Sequence, residues 1–170
     1  WEEGLPEPSQ FLRASFDLDQ LRYTPQQAET FYAHLLRGVQ ELPAVKAAAL
    51  TDRPVPGMLS GLVGSGGPEV SVPGQAERVS RVLSTYATAD FFEAMGLHFV
   101  EGRTFLPEEH RGPPRVVVVN QEFVKRAFGE KPLGRVVTLT TVGETGERTS
   151  VDAMVVGVIK NPAGRPIFTK

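Results

Sequence analysis

No cysteine occurs among the 170 residues. That absence excludes disulfides, thiolate nucleophiles and Cys-ligated zinc, and it leaves the redox compartment open. Long apolar runs are missing too: stretches such as Val116–Val119 fall far short of the ~20 residues that span a bilayer. No charged–apolar–small signal segment opens the chain, and Trp1-Glu2-Glu3-Gly4 reads as a cut point. Neither charge sign dominates. The net charge is −2, and Lys and Arg form no stripe, so nucleic acid is not an expected partner.

What remains is ordinary globular composition, 41% hydrophobic and 22% charged, in a chain long enough for one domain or two small lobes. At this size about 70% of the unfolded surface can be buried. Seventeen glycines and fourteen prolines imply many turns and at least one long loop.

Residues 1–10 are polar and Pro-rich, a flexible lead-in. Alternation within Phe11–Asp19, with Phe16 and Leu18 on one face, predicts a half-buried strand. Thr24-Pro25-Gln26-Gln27 forms a capping-box start, and Ala28, Phe31, Leu35, Val39 and Leu42 give the helical stripe of Thr24–Pro43. Val45–Thr51 reads as a second strand, so strand, helix and strand suggest a βαβ unit. Residues 53–75 are rich in Gly, Pro and Ser and predict a long loop. Ala76–Tyr86 resumes strand character. Thr88–Met95 reads as a short helix capped by Thr88 and stopped by Gly96. Leu97–Phe105 is a strand with a turn at Glu101-Gly102, and Leu106–Pro114 is a polar loop. Arg115–Val119 is a strand too apolar to face water on either side. Asn120–Phe128 is a helix capped by Asn120 and ended by Gly129. Val136–Thr141, the turn Val142–Thr149 and Val151–Ile159 complete the series before a trailing loop, 162–170.

The strand-to-helix turn at Asn120 invites a catalytic reading, but the residues oppose it. A phosphate cradle needs glycines there, and Glu122 puts negative charge in the first helical turn. No Ser stands between glycines as a nucleophile elbow requires. Asn120 reads as a cap, Phe123, Ala127 and Phe128 as core, and Lys125 and Arg126 as solvated partners for Glu122. The glycines of 61–67 lead into Pro68-Glu69, which lacks the Lys-Ser/Thr of a P-loop. Apolar Met58, Leu59, Leu62 and Val63 within that loop are the candidate contact surface for a partner or substrate. His98, Glu101, Glu108, Glu109 and His110 are the densest set of metal-ligand types but lack a ligand spacing, and Asp17 and Asp19 read as solvated. No catalytic, metal or cofactor site is assigned.

From Thr88 onward the order of short motifs is itself informative. Phe91-Phe92, Met95-Gly96, Gly102-Arg103-Thr104-Phe105, Val116–Asn120, Phe123–Phe128, Pro132-Leu133-Gly134 and Val155–Val158 follow one another. This series resembles the extracytoplasmic (MacB-like periplasmic core) domain of MacB/FtsX-type ABC transporter permeases, above all the large duplicated orphan permeases. The likeness extends from Phe11 to Asn161. It implies an α+β fold: a βαβ-based porter-like lobe at 11–87, and an inserted, mainly β sabre-like lobe with short helices at 88–161. It also implies a domain on the periplasmic face of the membrane, anchored by the full-length permease. A domain of that kind would be non-enzymatic, and no cofactor is expected. Its partners would be a cytoplasmic ABC ATPase that hydrolyses ATP, a second permease copy or half, and a substrate or periplasmic protein. In the family the chain returns to the porter lobe for a second βαβ. This sequence stops at Lys170 before that return: either it is a piece of a longer chain or the return is missing, and an incomplete porter lobe with an open sheet edge, a route to self-association, is then the expectation. Two other classes compete. One is an extracytoplasmic module for lipid or another apolar ligand, using the Met58–Val63 loop. The other is a soluble hydrolase or transferase using residues 98–122.

Overall fold

The computed structural model describes residues 12–18, 22–52, 68–74, 78–79, 82, 84–110, 115–143 and 145–161. Helix α1 spans Pro25–Gln40 and starts as its sequence dictates. The Gln27 N–H donates to Thr24 Oγ1 at 3.3 Å, and the Thr24 N–H donates to Gln27 Oε1 at 2.9 Å. The helix ends at Gln40, earlier than Pro43, and turns follow. Its stripe of Phe31, Leu35 and Val39 is half-buried and none of its residues is fully buried.

The two strands expected beside α1 do not form ladders. Residues 12–18 run without strand pairing and lean on the helix instead. Phe16 meets Phe31 edge-on at 5.9 Å, Tyr32 Oη donates to the Phe16 carbonyl at 3.4 Å, and Leu18 is buried. Residues 45–51 carry one isolated bridge, Thr51 to Ala87. The Leu50 carbonyl accepts from the Thr88 N–H, and the Tyr86 carbonyl from the Asp52 N–H, both at 3.1 Å. "KAAAL" has little β-branched bulk to favour a pleated ladder, and Ala49 is spent on packing against the second core cluster described below.

The sheet has six strands. They are β1 (Glu69–Ser71), β2 (Arg78–Val79), β3 (Phe99–Gly102), β4 (Val116–Asn120), β5 (Val136–Val142) and β6 (Arg148–Ile159). Their order is β2-β1-β5-β6-β3, with β4 also pairing β6. β1 corrects the sequence reading, because Glu69-Val70-Ser71 lies inside the predicted loop 53–75. Three residues make a strand there because β5 supplies a ladder, with Val70 opposite Leu139. Within the predicted strand Ala76–Tyr86 the described residues carry β2 at Arg78–Val79 and a bridge residue at Val82. Between β4 and β6 lie α3 (Gln121–Ala127) and β5, and β4 runs parallel to β6 while the other pairings are antiparallel. The result is the mixed α+β class with short helices and a mostly antiparallel sheet.

One cluster covers one face of the sheet, and a second covers the other face where β3, β4 and the end of β6 lie. Val70, Val72, Phe123, Ala127, Val137, Ala153 and Val155 pack on one side, where α3 lies. Phe91, Phe92, Met95 and Ile159 pack on the other, with α2 (Phe91–Ala94). β4 is sandwiched: Val117 and Val119 join the first cluster and Val118 the second. That two-sided burial is why the run of valines shows no alternation. α2 is shorter than Thr88–Met95, and its cap position is Asp90, which makes no side-chain cap bond. Thr88 is diverted, because its hydroxyl accepts from the Leu50 N–H at 3.1 Å. Gly96 ends the helix at φ 63°.

Candidate functional site

The apparent turn site at Asn120 is a cap built from two strands. Asn120 is buried, and its Oδ1 accepts the Phe123 N–H at 2.9 Å. The parallel neighbour β6 ends at Ile159, opposite Asn120. Two residues on, Asn161 Oδ1 accepts the Glu122 N–H, also at 2.9 Å. Two of the orphan donors at the start of α3 are therefore satisfied from adjacent strand ends. Glu122 pairs with Arg126 at 2.8 Å, as their spacing predicts.

The Gly-Arg-x-Phe turn is a second structural node. Gly102, at φ 79°, lies directly against β6: a Cβ there would overlap the Val156 carbonyl and come within 2.8 Å of Gly157 Cα. A Cβ on Gly157 would overlap the Arg103 carbonyl and lie 2.7 Å from the Phe99 ring. Two glycines facing one another thus let β3 close on β6. β6 is also irregular against β4 here: Val117 pairs with Val155 and Val118 with Gly157, so Val156 is the extra residue. Its carbonyl accepts the Arg103 N–H at 2.9 Å.

Arg103 then grips Glu109 with both ends of its guanidinium, at 2.9 and 2.7 Å. Glu109 Oε2 also accepts the Leu106 N–H at 2.7 Å, which ties down the 3₁₀ turn Pro107–His110. Hydrogen bonding to Glu109 is the largest cause holding the Arg103 pKa above its ordinary value. Attraction to Glu109 and Glu108 adds, and desolvation opposes. Phe105 completes the motif by packing on Phe92 at 5.6 Å. The Pro132-Leu133-Gly134 turn likewise feeds β5: the Gly134 N–H reaches the Val155 carbonyl at 2.9 Å.

The residues with chemical potential are not brought together. His98 is exposed, and its carbonyl accepts the Lys160 N–H. Glu101 and Glu108 are exposed, Glu109 is engaged by Arg103, and the His110 side chain lies outside the described residues. Among the described residues no group of three or more His, Asp or Glu is placed to hold a metal ion. Asp17 is exposed, and Asp19 lies outside the described residues. So do Met58, Leu59, Leu62 and Val63, the predicted contact loop. Sequence reading missed one feature: a shallow polar concavity of about 260 Å³ over β1, β5 and β6, lined by Glu69, Ser71, Thr138, Thr140, Arg148 and Ser150. Its signal was the alternation of Thr138 with Thr140 and of Arg148 with Ser150.

Every motif of the ordered series is therefore consumed by architecture, and their order is what a family shares. Residues 9–169 match the family of the MacB-like periplasmic core domain. The chain belongs to that family. As a MacB-like periplasmic core domain it is the extracytoplasmic domain of a MacB-like ABC transporter permease.

Two solved structures are similar. One is the periplasmic region of MacB from Actinobacillus actinomycetemcomitans, at 21% identity and a TM-score of 0.45 over 57% of this chain. The other is the extracellular domain of the noncanonic ABC-type transporter YknZ from Gram-positive bacteria, at 16% identity and a TM-score of 0.47 over 74% of this chain. The MacB-like domain spans 40% of the first and 55% of the second. No curated protein matches the chain. Among the described residues no helix is long and apolar enough to cross a membrane.

Proposed function

We propose that this MacB-like domain is a non-catalytic element of a membrane permease, standing on the extracytoplasmic side. There it contacts a substrate or periplasmic protein and moves in response to ATP hydrolysis by a separate cytoplasmic ATPase. The observation that carries the reading is the use of the family motifs. Asn120, Asn161, Gly102, Arg103 and Gly157 hold the sheet and its helices in register, and none is left over for bond chemistry. The family assignment over residues 9–169 supports the same conclusion. The working unit includes a second permease copy or half. The proposed division is a porter-like part within 11–87 and a sabre-like part at 88–161, with β1 and β2 of the first segment joining the sheet of the second, and Met58, Leu59, Leu62 and Val63 as the contact loop.

These 170 residues contribute no cysteine of their own, so two labelling sites can be placed in the domain once any cysteine elsewhere in the permease and its ATPase is replaced. Arg37→Cys and Thr141→Cys, both at exposed positions, carry spin labels in the full-length permease with its ATPase. The expected result is a distance distribution that changes between nucleotide-free and ATP-trapped states. Identical distributions in both states would refute transmission between the two parts. Replacing residues 58–63 by Gly and Ser is expected to abolish transport while leaving the domain folded, and undiminished transport would remove the loop from the proposal.

A further inference from the structure

We infer that the open face of β1, β5 and β6 is a binding surface for a neutral, hydroxyl-rich ligand, a glycan chain. Strand alternation creates the surface. Val70, Val137 and Ala153 point into the core, so Glu69, Ser71, Thr138, Thr140, Arg148 and Ser150 share the opposite side, where they line the concavity. Neighbouring strands stand about 4.8 Å apart, and alternate residues about 7 Å apart. Hydroxyls at that mesh can meet successive hydroxyls of a sugar chain.

The hydrogen-bond inventory selects the ligand class. Arg148 and Glu69 pair at 2.5 Å, so these two charges offset one another, and exposed Asp152 on the same face adds one carboxylate as an acceptor. Thr138 donates to Asp152 at 2.7 Å, which leaves its oxygen as an acceptor. The Thr140–Ser150 contact at 2.9 Å uses one of two hydroxyl hydrogens and leaves the other as a donor. Donors and acceptors are therefore interleaved. A phosphate asks for donors only and an ammonium for acceptors only, whereas a polyol asks for both.

The same face continues into Val136 and Met154, opposite one another and 38% and 41% exposed. They provide an apolar flank for the C–H side of a sugar ring. The volume lies just below the usual pocket range of about 300–1,000 Å³, which suits one or two sugar units held weakly. This inference stands on the domain's own geometry and holds or fails independently of the transport proposal.

The test is amide-resolved NMR on the 170-residue chain, titrated separately with the N-acetylglucosamine tetramer and with maltotetraose. At least one is expected to shift the Thr138, Thr140, Ser150 and Asp152 amides saturably at millimolar concentration. Thr140→Val keeps the β-branched shape that strands favour and removes the hydroxyl. Ser71→Ala does so at a second position. Each is expected to weaken binding by about three- to tenfold, the worth of one neutral hydrogen bond, while the rest of the spectrum is unchanged. Silence with both sugars would overturn the inference. So would shifts of these amides by spermidine in place of sugar, which assign the face to a cation. Broadening of the same amides with protein concentration alone would also overturn it, by assigning the face to a second copy of the chain.

Discussion

Gly157→Ala should destabilise this domain more than one added methyl group ordinarily does. The new Cβ would overlap the Arg103 carbonyl and approach the Phe99 ring to 2.7 and 3.1 Å. Phe99 has little room to yield, because its ring sits 4.9 Å from that of Phe92 inside a packed aromatic cluster. The Arg103 carbonyl can retreat only by pulling on its own N–H, which holds the Val156 carbonyl at 2.9 Å. Overpacking a tight site costs about 1–3 kcal/mol, and loosening one backbone hydrogen bond adds about 0.5–1.5 kcal/mol. A loss of about 2–4 kcal/mol follows, and at a urea slope of about 1–3 kcal/mol/M the midpoint should fall by roughly 1 M or more. Gly38→Ala is the matched control. It adds the same methyl group in α1, where nothing lies within 4 Å, and should stabilise by about 0.5–1 kcal/mol. Equal urea midpoints for Gly157→Ala and the parent chain would refute the argument that these glycines exist to let β3 and β6 touch.

Other outcomes follow from the same geometry. Asn120→Ala removes a buried cap and should cost about 0.5–2 kcal/mol in a urea melt, with Asn161→Ala costing less because it serves one exposed N–H. Arg103→Lys cannot span both Glu109 oxygens, so hydrogen exchange at the Leu106 amide should quicken; unchanged protection would argue against the clamp. The Thr145 hydroxyl is the first cause lowering the Glu147 carboxyl pKa. A carboxylate with a lowered folded pKa stabilises above its unfolded pKa and loses that contribution as pH falls through the folded one. The hairpin turn closed by the Gly143 N–H and the Glu147 carbonyl should therefore loosen from about pH 4.5 downward. NMR titration of Glu147 should show Thr145→Val moving its pKa back toward the ordinary carboxyl value and weakening that pH dependence, with the backbone hydrogen bonds to the carboxylate keeping part of the shift.

Where local chemistry decides structure, the sequence was readable. The Thr24–Gln27 box and the Asn120 cap with Phe123 and Phe128 needed only neighbours along the chain, as did the strands β5 and β6, although Val142, Arg148 and Thr149 of the predicted turn prove to be part of their ladder. The failures share a cause, dependence on distant partners. Glu69-Val70-Ser71, set between Pro68 and Pro73, looks like loop until β5 offers a ladder. Residues 12–18 alternate like a strand, but their partner is a helix surface. Asn161 fell between the predicted strand Val151–Ile159 and the trailing loop, yet its side chain serves a helix that starts about forty residues earlier. The polar concavity was legible only as alternation. Which strands bring those hydroxyls together is a fact of topology. For the predicted contact loop, Met58 to Val63 lies outside the described residues, so that reading stands as proposed.

The placement of β6 has a consequence for how the chain is made. β5, β3 and β4 all pair with it, yet among the described strands it comes last in chain order. Long-range pairings of this kind must wait for loop closure. A chain emerging residue by residue can form α1 early, but its sheet has no centre until residues 148–159 arrive. Throughout that delay Val116–Val119 is an apolar segment without the β6 partner that it pairs with in the folded domain.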